Sequence, residues 1–244
     1  MATKTTILGG DPPVQVALNR KATARRLSLR VSRLDGRVTL SIPGRLDESV
    51  AVAFLREREA WLRDTLAQIP MRVRVAAGTS IPMRDRALAL VAGAGRSPRL
   101  EGARLLLPAD PTGLRSGPRV AAWLKLQARA DLEAACARHA AALGLTYGPL
   151  VLGDTRSRWG SCTAQGRLMF SWRLVMAPPE VLDYVAAHEV AHLREMNHSR
   201  AFWNVVARLM PSYQKHRAWL RTNGHSLHRF DFTPERTDAD AGQK

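Results

Sequence analysis

The amino-acid sequence predicts an α+β fold built from two lobes. Two parts of the chain alternate apolar and polar residues with the period of a β-strand, and other segments repeat apolar residues at helical spacing. Eleven of the 14 aromatic residues follow position 145, so the second part should hold the better-anchored core. We expect a tail at 1–14, a β-rich N-terminal lobe with one helix at 15–112, a second lobe at 113–232 in which a β-hairpin or sheet packs on a helix, and a disordered tail at 233–244.

The first predicted elements are a hairpin and a helix. The segment RRLSLRVSRLDGRVTLSIP alternates apolar and polar residues on both sides of Asp35-Gly36, a pair that favours a type I′ turn. Asp47 can cap the helix that follows. The apolar residues that recur there at roughly helical spacing are Val50, Phe54, Trp61 and Leu66.

The middle of the chain predicts short strands and then a long helix. Between positions 70 and 112, the apolar runs MRVRV, LALVAG and RLLLPA are separated by Gly and Pro. Pro118 can start the helix and Gly144 can end it. We interpret Cys136 and His139 as core and boundary residues of its apolar face. That face contains Trp123, Leu124, Leu132, Cys136, His139 and Leu143.

A second hairpin is predicted from PLVLGDTRSRWGSC and RLMFSWRLV, with a turn near Ala164–Gly166. Trp159 is best explained as a core anchor. Gly160 marks a bulge or a close approach of the backbone to another group.

A helix should begin at Pro178 and Pro179, where the missing N–H groups cost nothing. His188 and His192 are four residues apart, so they lie on one face of this helix and can bind one metal ion. Glu189, next to the first histidine, completes the pattern H-E-x-x-H, in which the Glu is a general base.

His198 is a third candidate ligand. In a continuous helix its side chain would point about 240° away from His188, so the helix must end between them. Asn197 tolerates the left-handed conformation that closes helices, and Ser199 can cap a new helix. The spacing H-E-x-x-H-x5-H matches metzincin sites, although Glu195 stands where those sites have Gly.

Three histidines leave a fourth position open for water, which favours a catalytic site with one Zn2+ per chain. Nickel, cobalt or iron could also bind this ligand set. The alternatives are a closed structural zinc site and a packed helix with incidental histidines.

Three segments taken together resemble the YgjP-like zinc metallopeptidases, which are zincin-type proteins distantly similar to SprT-like proteases. These segments are RSRWGSC at 156–162, LDYVAAHEVAHL at 182–193 and MNHSRAFW at 196–203. The resemblance covers about residues 20–230. It implies a zincin-like catalytic lobe, His188, His192 and His198 as zinc ligands, and Glu189 as the catalytic base in hydrolysis of a peptide or protein substrate by a zinc-activated water.

Other residues near these motifs are candidates for substrate or oxyanion contacts. Tyr213 and His216 follow the third ligand and could donate to a developing oxyanion. The strand ending in RSRWGSC could pair with an extended substrate, Arg156 and Arg158 could meet an acidic substrate or pair with Asp154, and Trp159 is a further candidate contact.

Two further interpretations concern Cys162 and the histidines near the C-terminus. Cys162 with H-E-x-x-H would match the ligand set of peptide deformylase-type enzymes, but the chain lacks their EGCLS-like segment, so a small buried residue is favoured. His225 and His228 are expected to be exposed.

Composition leaves a competing function open. The net charge is +16, and residues 1–145 carry 24 basic and 12 acidic side chains, which could face a nucleic acid. The competing hypothesis is therefore a nucleic-acid-associated protein with a structural or vestigial zinc site, while the simpler explanation is a soluble basic surface.

Other features of the composition predict the compartment. No apolar run approaches the roughly 18 residues of a membrane span. The start of the chain lacks the apolar core of a secretory signal, and two cysteines give no disulfide framework. We expect a cytoplasmic protein with no membrane partner.

Overall fold

A computed structural model describes residues 4–32, 36–69 and 71–234. The chain divides into two compact units, Met1–Met71 and Arg72–Lys244. Helices and sheets occur in both units, which confirms the predicted α+β class. The division lies earlier than the predicted boundary between 112 and 113, because strands after Arg72 bury side chains such as Ile81 and Leu90 in the same core as the long helix.

The first unit is a four-stranded sheet with two helices. The strand order is β1-β2-β4-β3, with β2 and β4 parallel and the other two pairs antiparallel. The predicted tail at 1–14 is wrong where β1 pairs with β2, because that pairing gives the backbone of β1 hydrogen-bond partners. The elements are β1 (Lys4–Leu8), β2 (Val14–Lys21), β3 (Ser28–Val31), β4 (Val38–Pro43), α1 (Glu48–Glu57) and α2 (Glu59–Ala67).

The predicted hairpin is confirmed as the antiparallel pair β3 and β4. Ser32 N donates to Arg37 O at 2.9 Å, and Gly36 has the positive φ of 70° that a glycine adopts easily. Asp35, the other predicted turn residue, lies outside the described residues.

The cap of α1 is confirmed, and the predicted helix face is confirmed for Phe54 and Leu66, which pack on the core, but wrong for Val50 and Trp61. Asp47 Oδ1 accepts from Ser49 N at 2.7 Å. Val50 and Trp61 are 46% and 48% exposed. Arg58 interrupts the helical run between them, so the two residues do not belong to one continuous helix face. The buried residues of the two helices are Ala51, Leu55 and Leu62.

The second unit begins with five short strands. Four of them form a sheet in the order β6-β7-β9-β8, and β5 pairs in parallel with the last strand of the unit, β13. In β6, β7 and β9 the apolar side chains alternate toward the core, whereas β8 is exposed at every position. The strands are β5 (Val73–Arg74), β6 (Ser80–Met83), β7 (Arg86–Ala92), β8 (Arg99–Glu101), β9 (Arg104–Leu107) and β13 (Phe230–Asp231).

Four helices and a small sheet complete this unit. The long helix α3 ends at Gly144 in the left-handed conformation, as predicted. At its start, Asp110 Oδ2 accepts from Ser116 N at 2.6 Å, and hydrogen bonding lowers the pKa of Asp110 to about 2. The remaining elements are α3 (Ser116–Leu143), β10 (Leu150–Gly153), β11 (Gly160–Cys162), β12 (Leu168–Ser171), the 3-10 helices Trp172–Met176 and Gly224–His228, α4 (Pro179–Ala191), α5 (Arg200–Leu209) and α6 (Tyr213–Asn223).

The small sheet has the order β10-β12-β11, so β11 is an edge strand, and β11 packs against α4. The predicted hairpin is β11 and β12, and its turn is closed by Gly166 N donating to Thr163 O at 2.9 Å. Among the described residues, no helix combines the length and apolar composition that a membrane span requires.

A buried arginine joins the small sheet to the end of the unit. Arg173 donates to both carboxylate oxygens of Asp154, at 2.6 and 3.1 Å. The same guanidinium donates to the carbonyls of Leu227 and Phe230, each at 3.0 Å. The sequence offered Arg156 and Arg158 as partners of Asp154, and the structure adds Arg173, which reaches that carboxylate from the core side.

Asp183 ties α4 to α3. Its Oδ1 lies 2.8 Å from both Arg138 Nη2 and His139 Nε2. Burial raises the pKa of Asp183, but the hydrogen bond and charge of His139 and the charge of Arg138 outweigh burial, so its pKa is lowered.

Asp183→Asn should destabilise the protein by about 2 kcal/mol at pH 7, since it removes charge-assisted hydrogen bonds. The pKa of Asp183 is lower in the folded protein, so its contribution is present above the unfolded pKa and is lost as pH falls through the folded value. Urea unfolding measured from pH 7 to pH 3 should therefore show that the difference in free energy of unfolding between variant and wild type disappears below about pH 4. A difference that stays constant with pH would contradict this assignment.

Candidate metal centre

The helix α4 carries two of the candidate ligands at its end. Pro179 occupies its first turn, as predicted, and the helix runs to Ala191. His188 lies in the last turn and His192 is the residue that caps the helix end. The one-turn separation places both imidazoles on the same side.

The chain leaves α4 through tight turns and not through a left-handed asparagine. Leu193 N donates to Val190 O at 3.0 Å, and Glu195 N donates to Ala191 O at 3.0 Å. The prediction for Asn197 is wrong, because the non-glycine residues with positive φ in the described chain are Arg84 and Asp85. Consecutive turns, closed by hydrogen bonds between residues three and four apart, therefore end the helix and redirect the chain.

The predicted cap of α5 is confirmed. Ser199 Oγ accepts from Phe202 N at 3.4 Å, and the new helix ends before Pro211. The chain reversal and this cap together hold His198 against the end of α4.

The three histidines converge on one point. One ring nitrogen from each lies within 4.8 Å of the others, and the Nε2 atoms of His188 and His198 are 3.0 Å apart. Two nitrogens bound to one tetrahedral zinc at the usual bond length would be about 3.3 Å apart, and the His188–His198 pair is close to that separation.

The surroundings of the rings also suit a ligand role. His192 Nδ1 lies 3.0 Å from Glu195 O. This contact orients the ring and leaves Nε2 as the nitrogen that can bind a metal ion. His188 Nδ1 is buried without a hydrogen-bond partner in the described part of the chain. Burial, followed by the charges of His192, His198 and Arg217, lowers the pKa of His188 to about 3, and burial lowers that of His192, so both favour the neutral form that binds metals.

Aromatic side chains form the floor and wall of the cluster. The ring of Phe202 lies 4.5–4.9 Å from all three imidazoles, measured between centroids. Trp203 lies 5.7 Å from His188 and 5.8 Å from His198. These contacts restrict the rotation of the imidazoles and exclude water from one side.

Glu189 is enclosed between α4 and the edge strand β11. The residue is only 5% exposed, and burial raises the pKa of its carboxyl to about 8 while the charge of Arg158 opposes that rise. A carbon added at Gly160 would lie 2.5 Å from Glu189 Oε1, so the predicted close approach at this glycine is confirmed.

Comparison with known families gives a match over most of the chain. The family described as "YgjP-like, metallopeptidase domain" matches residues 25–223. The chain belongs to the YgjP-like metallopeptidase family. Family membership confirms the resemblance carried by the three motifs, and it makes this protein a metallopeptidase whose histidine cluster could hold a metal ion.

Among solved structures, this YgjP-like chain is similar to the crystal structure of the metallopeptidase zymogen of Pyrococcus abyssi abylysin. The identity is 20% and the TM-score 0.34, over 37% of this chain and 92% of that one. No curated protein gives a significant match. None of these comparisons supports the competing nucleic-acid hypothesis. The first unit of this YgjP-like protein, residues 1–71, carries only 12 basic and 7 acidic side chains.

Of the other predicted site residues of the YgjP-like protein, Tyr213 is the one that contacts the aromatic wall of this centre. Tyr213 stacks on Trp203 with ring centroids 5.4 Å apart and belongs to the wall of the cluster. His216 is buried, and its Nε2 lies 3.1 Å from Ser212 Oγ. Trp159 is half-buried against the core and 5.2 Å from the ring of His228, while the side chain of Arg158 is exposed.

Cys162 is not part of the metal-binding group found among the described residues. Its Sγ donates to Thr163 O at 3.3 Å, and burial, with a smaller effect from Glu189, raises the pKa of its thiol to about 11. A raised pKa disfavours the thiolate that binds metals. The expected exposure of His225 and His228 is wrong, because both are half-buried in the last 3-10 helix.

Sequence reasoning missed the residues that act through packing. Phe202 is the main example, because its ring contacts every imidazole of the YgjP-like centre. Its position four residues after His198 was the available signal. The Glu195 carbonyl that orients His192 left no signal in the side-chain pattern.

Proposed function

We propose that the protein is a zinc-dependent metallopeptidase that hydrolyses peptide bonds, with His188, His192 and His198 as metal ligands and Glu189 as general base. The observation that carries the proposal is the convergence of three ring nitrogens within 4.8 Å beside a buried carboxyl group. When bound, zinc would lower the pKa of water from 15.7 toward about 7 and polarise the scissile carbonyl.

Glu189 would take a proton from the attacking water and pass it to the leaving amine. Burial raises the pKa of this carboxyl group, which strengthens it as a proton acceptor. The proton transfers would occur against β11, where bulk water has little access because the carboxyl is enclosed.

The edge strand β11 would hold the substrate. It has β12 on one side and no strand on the other within the described chain, and it runs along α4 at Glu189. An extended peptide could add to this free edge through backbone hydrogen bonds. Arg158, exposed just before the strand, would then be in reach of an acidic residue of the peptide.

Tyr213 is the better placed of the two proposed oxyanion donors. It belongs to the aromatic wall that continues through Trp203 to His198. His216 would have to give up its contact with Ser212 before it could donate to a substrate.

Removal of metal provides the direct test. We expect chelator treatment to lower the cleavage rate of an unstructured protein such as casein by roughly 100-fold or more, because the charge that stabilises the transition state is lost. Addition of zinc after removal of the chelator should restore the rate, whereas magnesium, which prefers oxygen ligands, should not. Cleavage that continues unchanged in metal-free protein would exclude the proposed mechanism.

A further inference from the structure

Gly160 begins the edge strand β11 and pairs with Phe170 of β12. A methyl carbon at this position would lie 2.5 Å from Glu189 Oε1, 2.6 Å from Cγ and 2.8 Å from Cδ. All three distances are shorter than the contacts of real methyl carbons, and all three involve one side chain. The backbone of β11 therefore lies directly on the carboxyl arm of Glu189.

No hydrogen bond restrains that carboxyl group within the part of the chain that the structure describes. It is nevertheless enclosed, since the residue is 5% exposed and projects from a helix whose last turns are buried. Steric contact with the strand is the restraint that remains, in addition to the distant charge of Arg158.

We propose that Gly160 is a positioning residue: the absence of a side chain there lets β11 close over Glu189 and fixes the carboxyl group in its place. Any larger residue would displace the carboxyl arm or lift the strand. The catalytic consequence rests on the proposed function, whereas the positioning itself is a property of the metal-free fold.

A stability cycle in metal-free protein tests the positioning without any activity. Gly160→Ala should lower the thermal midpoint by about 5 °C when Glu189 is present, because an added methyl group is overpacked. In a Glu189→Ala background the same change should not lower the midpoint, since the side chain that opposes the methyl is gone. Equal lowering in both backgrounds would overturn the proposal, because the methyl group would then clash with something else.

Gly153→Ala is a matched control in the same sheet. A carbon there would meet only Met169 Sδ and Thr155 Cγ2, both at 3.6 Å, which is ordinary contact. Neither Gly153 nor Gly160 has a positive φ, so alanine fits both backbones. The control should leave the midpoint and the catalytic constants within error of wild type.

In the zinc-loaded enzyme, Gly160→Ala should lower kcat about 100-fold while KM stays within about twofold and zinc content is unchanged. If Gly160→Ala leaves kcat intact, or if it removes zinc, the proposed role of Gly160 toward Glu189 is overturned. If wild type itself cleaves nothing, the proposed function fails, and the stability cycle still decides whether Gly160 positions the carboxyl group.

Discussion

Glu189→Gln should lower the turnover number by about 1,000-fold and leave metal binding intact. Glutamine has nearly the shape of glutamate, so it should fit the same enclosed space beside Gly160. Its amide cannot take a proton from water at neutral pH, so proton transfer to the leaving amine would be lost as well. The loss should appear in kcat, because the group acts on the transition state more than on substrate binding.

The measurement pairs steady-state kinetics with metal content by mass spectrometry. Glu180→Gln is the matched control, because this residue lies exposed in the first turn of the same helix. The control should keep the wild-type rate and metal content. A Glu189→Gln enzyme that keeps more than about a tenth of the wild-type rate would remove Glu189 from the general-base role.

His198→Ala should lose both zinc and activity. The site would keep two ligands from the end of α4, and catalytic zinc sites have three. Because His198 is exposed and lies between helices, its removal should leave the fold in place, so the far-ultraviolet circular dichroism should match wild type.

Cys162→Ala is the informative partner of that experiment. Its thiol is outside the histidine group, so about one zinc per chain should remain in this variant. Zinc retained without His198 and lost without Cys162 would replace the three-histidine assignment with one that contains cysteine. Loss of zinc in His198→Ala alone would establish His198 as the third ligand.

Local signals in the sequence predicted the ends of elements well. Asp47, Gly144 and Ser199 each satisfy or close a helix end through a contact with the nearby backbone, and such contacts depend on only a few neighbouring residues. The convergence of His188, His192 and His198 was also predictable, because it depends only on helical spacing and on a chain reversal between His192 and His198.

Features that depend on distant parts of the chain were not predictable in this way. Asp154 is bound by Arg173, 19 residues later in the sequence, because the guanidinium of Arg173 reaches it from the core. The division after Met71 follows from which strands share a core with α3, and short apolar runs do not carry that information. Gly160 could be recognised as a close approach, but Glu189 as its partner required the packing of β11 on α4.

The parallel pairing of β5 with β13 has a consequence for synthesis of the protein. β5 opens the second unit and β13 closes it, and Arg173 fastens the closing segment through the carbonyls of Leu227 and Phe230. During translation, β5 therefore cannot pair with β13 until nearly the whole second unit has been synthesised. The three histidines are translated before β13, so a nascent chain already carries His188, His192 and His198 while β5 is still unpaired. The second unit can reach its final form only after Asp231 has emerged.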